Sequence, residues 1–398
     1  MDLKVVTSTE ELDGICRAYA KASYVTVDTE FMRERTYWPI LCLVQLGRPR
    51  FDGESDADWE REGAVIVDPM VDGISLEPLF DLMADENVLK VFHAARQDVE
   101  IFHNLAGAVP VPLYDTQVAA MVCGFGDQVG YETLVRKVVN ASLDKSSRFT
   151  DWSRRPLSAK QLNYAVGDVT HLRQIYETLS GRVEKAGRSA WVAEEMGILT
   201  DPATYITEPD DAWKRLKMRN PAPKLFVAAR ALASWREREA QKRNVPRNRV
   251  IKDDALMELA ASRPKDLESL NKSRLLTREN RNGEAAKSIL DALAQMQESN
   301  VPLPKKPNDA PRPTAGQSAV AELLRTLLRA KAADADVAAR LIASSAELDR
   351  LALEPNPEDL PALNGWRREV FGDDALRLKA GEIALSTGPD GVRVVELK

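Results

Sequence analysis

The sequence predicts an α/β domain with a mixed sheet and flanking helices, followed by two all-helical domains. Three observations carry this. Through about residue 180, β-branched and aromatic runs alternate with helical stretches. Beyond that point no convincing strand is seen. A segment with five prolines, NVPLPKKPNDAPRPTAG (300–316), then divides the helical remainder. The expected domains are 1–205 (α/β), 211–299 (helical), a linker over 300–316, and 317–398 (helical).

In chain order, ELDGICRAYAKA (11–22) reads as a helix and YVTVD (24–28) as a strand. LCLVQL (41–46) and AVIVD (64–68) follow as strands, then SLEPLFDLMAD (75–85) as a helix. VLKVF (88–92) is a strand leading into the helix RQDVEIFHNLA (96–106). VPLYD (111–115) is a weaker strand, and LNYAVGDVTHL (162–172) a helix. The early strands follow one another closely and helices dominate later, which is the pattern of a mixed sheet. DPATYITEPDD (201–211) reads as a connection, and PAPKLFVAARALASWREREAQKR (221–243) is the clearest later helix. The two helical regions have similar lengths and a similar order of helices, which suggests a repeated module.

A chain of 398 residues has room for two or three domains. No apolar run reaches the length of a membrane span, and the N-terminus MDLKVVTSTEELDG has no apolar signal core. A cytoplasmic protein with no membrane partner is expected. Cys16, Cys42 and Cys123 are scattered, as are His93, His103 and His171. A zinc site of the Cys/His type is therefore not expected, and any metal must be held by carboxylate oxygen. The net charge of −6 hides a division. Residues 1–210 carry 21 basic and 34 acidic residues, whereas residues 211–300 carry 20 and 12. That asymmetry points to a cation-dependent site in the first region and a polyanion-binding surface in the second.

The first strand ends in Asp28 and Glu30, two residues apart and so on one face. Alone, such a pair also fits a strand end entering solvent. Asp98, early in a helix, adds a third carboxylate. Tyr164 and Asp168, at i and i+4, share one face of a later helix. This inventory suits phosphodiester cleavage. Two hard divalent cations, Mg²⁺ or Mn²⁺, clamp the attacking and leaving oxygens, and a tyrosine hydroxyl orients water.

At this point a resemblance becomes specific. VDTEF, FHAARQD and YAVGD resemble the three motifs of the DEDD exonucleases, and Tyr164 resembles the marker of the DEDDy branch. TEFMRERTYWPILCLVQLG (29–47), LYDTQVAA (113–120), LDKSSRFTDWSRRPLS (143–158) and GWRREV (365–370) resemble the ribonuclease D family, and the helical regions resemble HRDC modules. The resemblance implies a ribonuclease H-like nuclease domain. It implies that Asp28, Glu30 and Asp168 hold one metal, that Asp28 and Asp98 hold a second, and that Tyr164 positions water. It also implies 3′→5′ trimming of tRNA precursors and other small structured RNAs to nucleoside 5′-monophosphates, by a monomer. The rivals are a proofreading-type DNA exonuclease and an inactive RNA-binding adaptor.

Several side chains carry both a substrate reading and a structural one. Phe31 and Met32 could stack on the terminal base or pack in the core. His93, after an apolar run, reads first as structural, with substrate contact as the alternative. His171 reads as structural. Gln45, ending an apolar strand, could serve the fold or a sugar edge. Lys145, Arg148, Arg154 and Arg155 interleave with Phe149 and Trp152, a pattern suited to single-stranded RNA or to a surface loop anchored by Trp152. The basic run WREREAQKRNVPRNRVIK (235–252) is a further candidate RNA surface.

Overall fold

The computed structural model describes residues 3–143, 150–218, 221–295, 314–354, 357, 359–389 and 391–397. The chain forms two compact units. One is Met1–Glu30, Cys42–Thr204 and Pro313–Lys398; the other is Phe31–Leu41 and Tyr205–Arg312.

The first unit is built on a six-stranded sheet. Its strands are β1 Val5–Val6, β2 Tyr24–Met32, β3 Ile40–Gly47, β4 Ala64–Val67, β5 Leu89–Phe92 and β6 Leu113–Asp115. They lie in the order β1-β4-β3-β2-β5-β6. β1 with β4, β2 with β5 and β5 with β6 pair parallel, whereas β3 and β4 pair antiparallel. The mixed sheet is as expected, and β1 is an addition, because two residues show no periodicity. Helices α1 Thr9–Tyr19, α2 Asp56–Glu62, α3 Glu77–Ala84, α4 Arg96–Ala106, α5 Thr116–Val122, α6 Tyr131–Leu134, α7 Ala159–Lys185 and α8 Ser189–Thr200 accompany it.

The central strands are buried almost throughout, as strands covered on both faces should be. In β2 this burial relaxes only from Asp28 onward. Two contacts seat α7 against the strands. The Thr26 hydroxyl donates to the Val169 carbonyl at 2.9 Å. A Cβ on Gly47 would lie 2.5 Å from the Thr26 hydroxyl oxygen and 3.3 Å from the Val169 carbonyl oxygen, so only glycine permits this approach.

In the second unit, α9 Pro223–Arg243, α10 Arg247–Val250, α11 Asp253–Ser262, α12 Leu267–Asn271 and α13 Gly283–Gln295 close around Leu232, Leu256, Leu259 and Ile289. Tyr37 belongs to this core. Its hydroxyl donates to Glu237 and accepts from Arg247 at 2.9 Å. Arg247 also pairs with both oxygens of Glu237. Asn244 accepts the backbone N–H groups of Tyr37 and Trp38 at 3.1 and 3.0 Å. The segment leaving the acidic strand is thus built into the helical unit.

The C-terminal part repeats a similar succession in α14 Ala315–Asp334, α15 Ala339–Ile342 and α16 Ser345–Leu353, followed by α17 Gly365–Arg367 and α18 Asp373–Ala380. Of the expected linker, 300–313 lies outside the described residues, and α14 begins at Ala315 inside the remainder. This part packs on α8. Trp366 stacks on Trp191 with centroids 4.5 Å apart, and Arg367 pairs with Glu194 and Glu195. The expectation of no strand past residue 180 needs correction. Ile383–Gly388 (β7) and Gly391–Glu396 (β8) form an antiparallel hairpin. Its apolar alternation runs over only a few residues, too few to show in the sequence.

Tyr37→Phe keeps the ring and removes a hydroxyl that serves Glu237, Arg247 and Gln241, the first of them buried. We expect it to lower stability by about 1–3 kcal/mol in urea unfolding of the whole chain.

Candidate active site

Each acidic residue reaches the site for a local reason. Asp28 and Glu30 share a face of β2 because strand side chains alternate. Asp168 comes from the seventh helix, which starts at a capping box of Ser158 and Gln161. Ligand oxygens of Asp28, Glu30 and Asp168 all lie within 4.8 Å of one another. Thr29 lies between the pair in sequence and points the other way. Its hydroxyl donates to the carboxylate of Asp98, in the first turn of α4. Asp98 therefore stands outside the group of three but within its field.

The electrostatics follow from this crowding. Burial, then the charge of Asp168, pushes the Asp28 carboxyl well above its ordinary value. Burial, then the charge of Asp28, does the same to Asp98. A set of hard oxygen donors that repel one another when empty fits a divalent cation, which relieves the repulsion.

Tyr164 is half-buried, four residues before Asp168 on the same helix. Its ring lies 6.1 Å from that of Trp152, centroid to centroid. Trp152 is only 2% exposed. Burial thus fits the reading of Trp152 as the anchor of its loop, behind Tyr164, and corrects the reading of it as an RNA contact. Arg155 is likewise occupied, holding both oxygens of Asp68 and the Cys42 carbonyl. Arg154 is exposed beside Asp151. Lys145, Arg148 and Phe149 lie outside the described residues. Phe31 and Met32 are half-buried at the end of β2. His93 bonds Thr116 at 3.0 Å, and its ring sits 5.3 Å from that of Tyr131. Burial lowers its pKa, which favours the neutral ring. Gln45 is fully buried, which fits the reading that it serves the fold. His171 is half-buried on α7.

Two contributors went unnoticed in the sequence, Thr29 and Tyr131. Tyr131 donates its hydroxyl to the Asp168 backbone carbonyl. Burial and the charge of Asp168 raise its pKa, so it remains a donor. Strand alternation could have flagged Thr29; nothing local marks Tyr131.

A mixed sheet whose strand β2 carries paired carboxylates, joined by an aspartate from the seventh helix, fits a nuclease of the carboxylate type. Residues 3–184 match the family model described as a 3'-5' exonuclease, and residues 226–293 match the HRDC domain. Ribonuclease D of Jannaschia sp. is 53% identical over 98% of this chain and 99% of its own. Ribonuclease D of Granulibacter bethesdensis is 49% identical over 98% and 95%. The crystal structure of Escherichia coli RNase D, an exoribonuclease involved in structured RNA processing, superposes with a TM-score of 0.76. It is 28% identical, over 96% of this chain and 99% of that one. The chain belongs to the ribonuclease D family and is an exoribonuclease. No helix among the described residues is long and apolar enough to cross a membrane.

The raised carboxyls predict a pH dependence. Above the ordinary carboxyl value of 3.8 and below the raised ones, the ion-free folded protein binds more protons than the unfolded chain. Its stability therefore falls as pH rises through that window. Thermal unfolding without divalent cation should show wild type losing ground to Asp28→Asn as pH rises above the ordinary carboxyl value. Added Mg²⁺ should restore wild type and leave the variant unmoved.

Proposed function

We propose that the chain trims the 3′ ends of tRNA precursors and other small structured RNAs, releasing nucleoside 5′-monophosphates. The observation that carries the site is the convergence of Asp28, Glu30 and Asp168, with Tyr164 one helical turn before Asp168. Asp28, Glu30 and Asp168 would hold one divalent cation, and Asp28 with Asp98 a second. Bound there, Mg²⁺ or Mn²⁺ supplies charge neutralisation and an acidified water. The Tyr164 hydroxyl orients that water toward the terminal phosphodiester, and Trp152 backs its ring. Phe31 and Met32 present an apolar face to the terminal base, which tolerates any base. His93 supports this end of the sheet through Thr116. Lys145 and Arg148 supply positive charge for the phosphate backbone.

Residues 1–205 are taken as the nuclease domain and 211–299 as a basic RNA-binding HRDC domain. Residues 317–398 form a second HRDC-like module behind a 300–316 linker. The acidic nuclease region repels phosphate, and the basic region counters that repulsion, so RNA binding weakens with salt. A cytoplasmic monomer suffices for this chemistry, since every proposed ligand comes from one chain.

Matched RNA and DNA oligomers digested side by side test the substrate class. RNA should be shortened from the 3′ end to 5′-monophosphates, and equal digestion of DNA would overturn the RNA assignment. Asp28→Asn should lower turnover by more than about 100-fold with the fold intact. Tyr164→Phe should lower turnover by about 100-fold while leaving the half-saturating cation concentration unchanged.

A further inference from the structure

Asp115 is 3% exposed and ends β6, next to Phe92 of β5. Its carboxylate makes three bonds to backbone. Oδ1 accepts from Ala94 N–H at 2.9 Å and Gln117 N–H at 2.8 Å, and Oδ2 accepts from Ala95 N–H at 2.9 Å. Gln117 lies in the first turn of α5, so Asp115 is that helix's own N-cap. Ala94 and Ala95 form the turn between β5 and α4. The fourth helix has no side-chain cap of its own. One carboxylate therefore caps two helices, the second from a neighbouring strand.

The turn it holds needs holding. Ala94 has φ +59°, in the left-handed region that disfavours a side chain. The next residue, Thr116, ties the same turn from the other side. Its hydroxyl donates to the Phe92 carbonyl at 2.9 Å and contacts His93. Three residues beyond Ala95 stands Asp98. The angle at which α4 leaves this turn sets where the Asp98 carboxylate meets the Thr29 hydroxyl.

We propose that Asp115 is a positioning residue for Asp98, fixing through the Ala94–Ala95 turn the carboxylate that completes the second cation position. This rests on the reading of Asp98 as a metal ligand. Asp115→Asn keeps the shape and the bonds through Oδ1, but it turns an amide NH₂ toward the Ala95 N–H. Asp115→Ser can still cap the fifth helix, yet is too short to reach Ala94 and Ala95.

The test is calorimetric titration of the full chain with Mn²⁺, without RNA, beside thermal unfolding. Wild type should bind two cations. Asp115→Asn should weaken one by about 10- to 100-fold and spare the other, the size expected for loss of a residue that orients a ligand. Asp115→Ser should weaken the same one further. Ala94→Gly in the Asp115→Asn background should recover part of the loss, because glycine takes the positive φ without strain. It also provides a folded protein if Asp115→Asn alone fails to fold. Unchanged Mn²⁺ binding in a folded Asp115 variant overturns the inference, and so does equal weakening of both cations. If wild type and Asp98→Asn bind Mn²⁺ alike, it is the reading of Asp98 itself that fails.

Discussion

The constraint behind this structure is mutual repulsion among carboxylates crowded at the end of one strand, where Asp28 and Glu30 are half-buried and Asp168 is buried. Three side chains place oxygens within 4.8 Å of one another, and a fourth adds its charge from close by. Nothing in their own chemistry draws them together. Backbone does so: one strand supplies Asp28 and Glu30, and two helices supply Asp98 and Asp168. The free energy that holds this arrangement comes from apolar burial around it, where the central strands lose almost all contact with solvent.

Small contacts then decide the geometry. Gly47 and the Thr26–Val169 bond set how closely the seventh helix approaches the sheet, and Tyr131 grips that helix at the Asp168 carbonyl. On the other side, Thr29 binds Asp98 directly and Asp115 holds the turn before it. Each of these groups is neutral or already satisfied by backbone N–H. The surroundings therefore fix the acidic groups without supplying a countercharge. The strand that carries the acidic pair continues into Phe31–Leu41, which belongs to the helical unit. Phe31 and Met32 are the last two residues of β2.

Much of this was legible in the sequence, because spacing encodes it. Alternation puts Asp28 and Glu30 together, helical periodicity pairs Tyr164 with Asp168, and the β-branched runs mark five of the six sheet strands. What stayed hidden depends on burial and distant partners. A run of basic and aromatic residues looks the same on a surface or inside. The sequence therefore could not decide whether Trp152 meets RNA or anchors its loop, nor show that Arg155 is bound to Asp68, 87 residues earlier. Thr29 and Tyr131 act through contacts 69 and 37 residues away, which no local pattern announces. The C-terminal hairpin is short and weakly apolar, so it left no periodic trace.

The central claim is that these repelling carboxylates form a cation site. Anomalous scattering from crystals of the protein soaked in Mn²⁺ tests it most directly. The account predicts a peak bounded by Asp28, Glu30 and Asp168, and a second between Asp28 and Asp98. An RNA-degrading preparation whose soaked crystals show no peak among Asp28, Glu30 and Asp168 would contradict it.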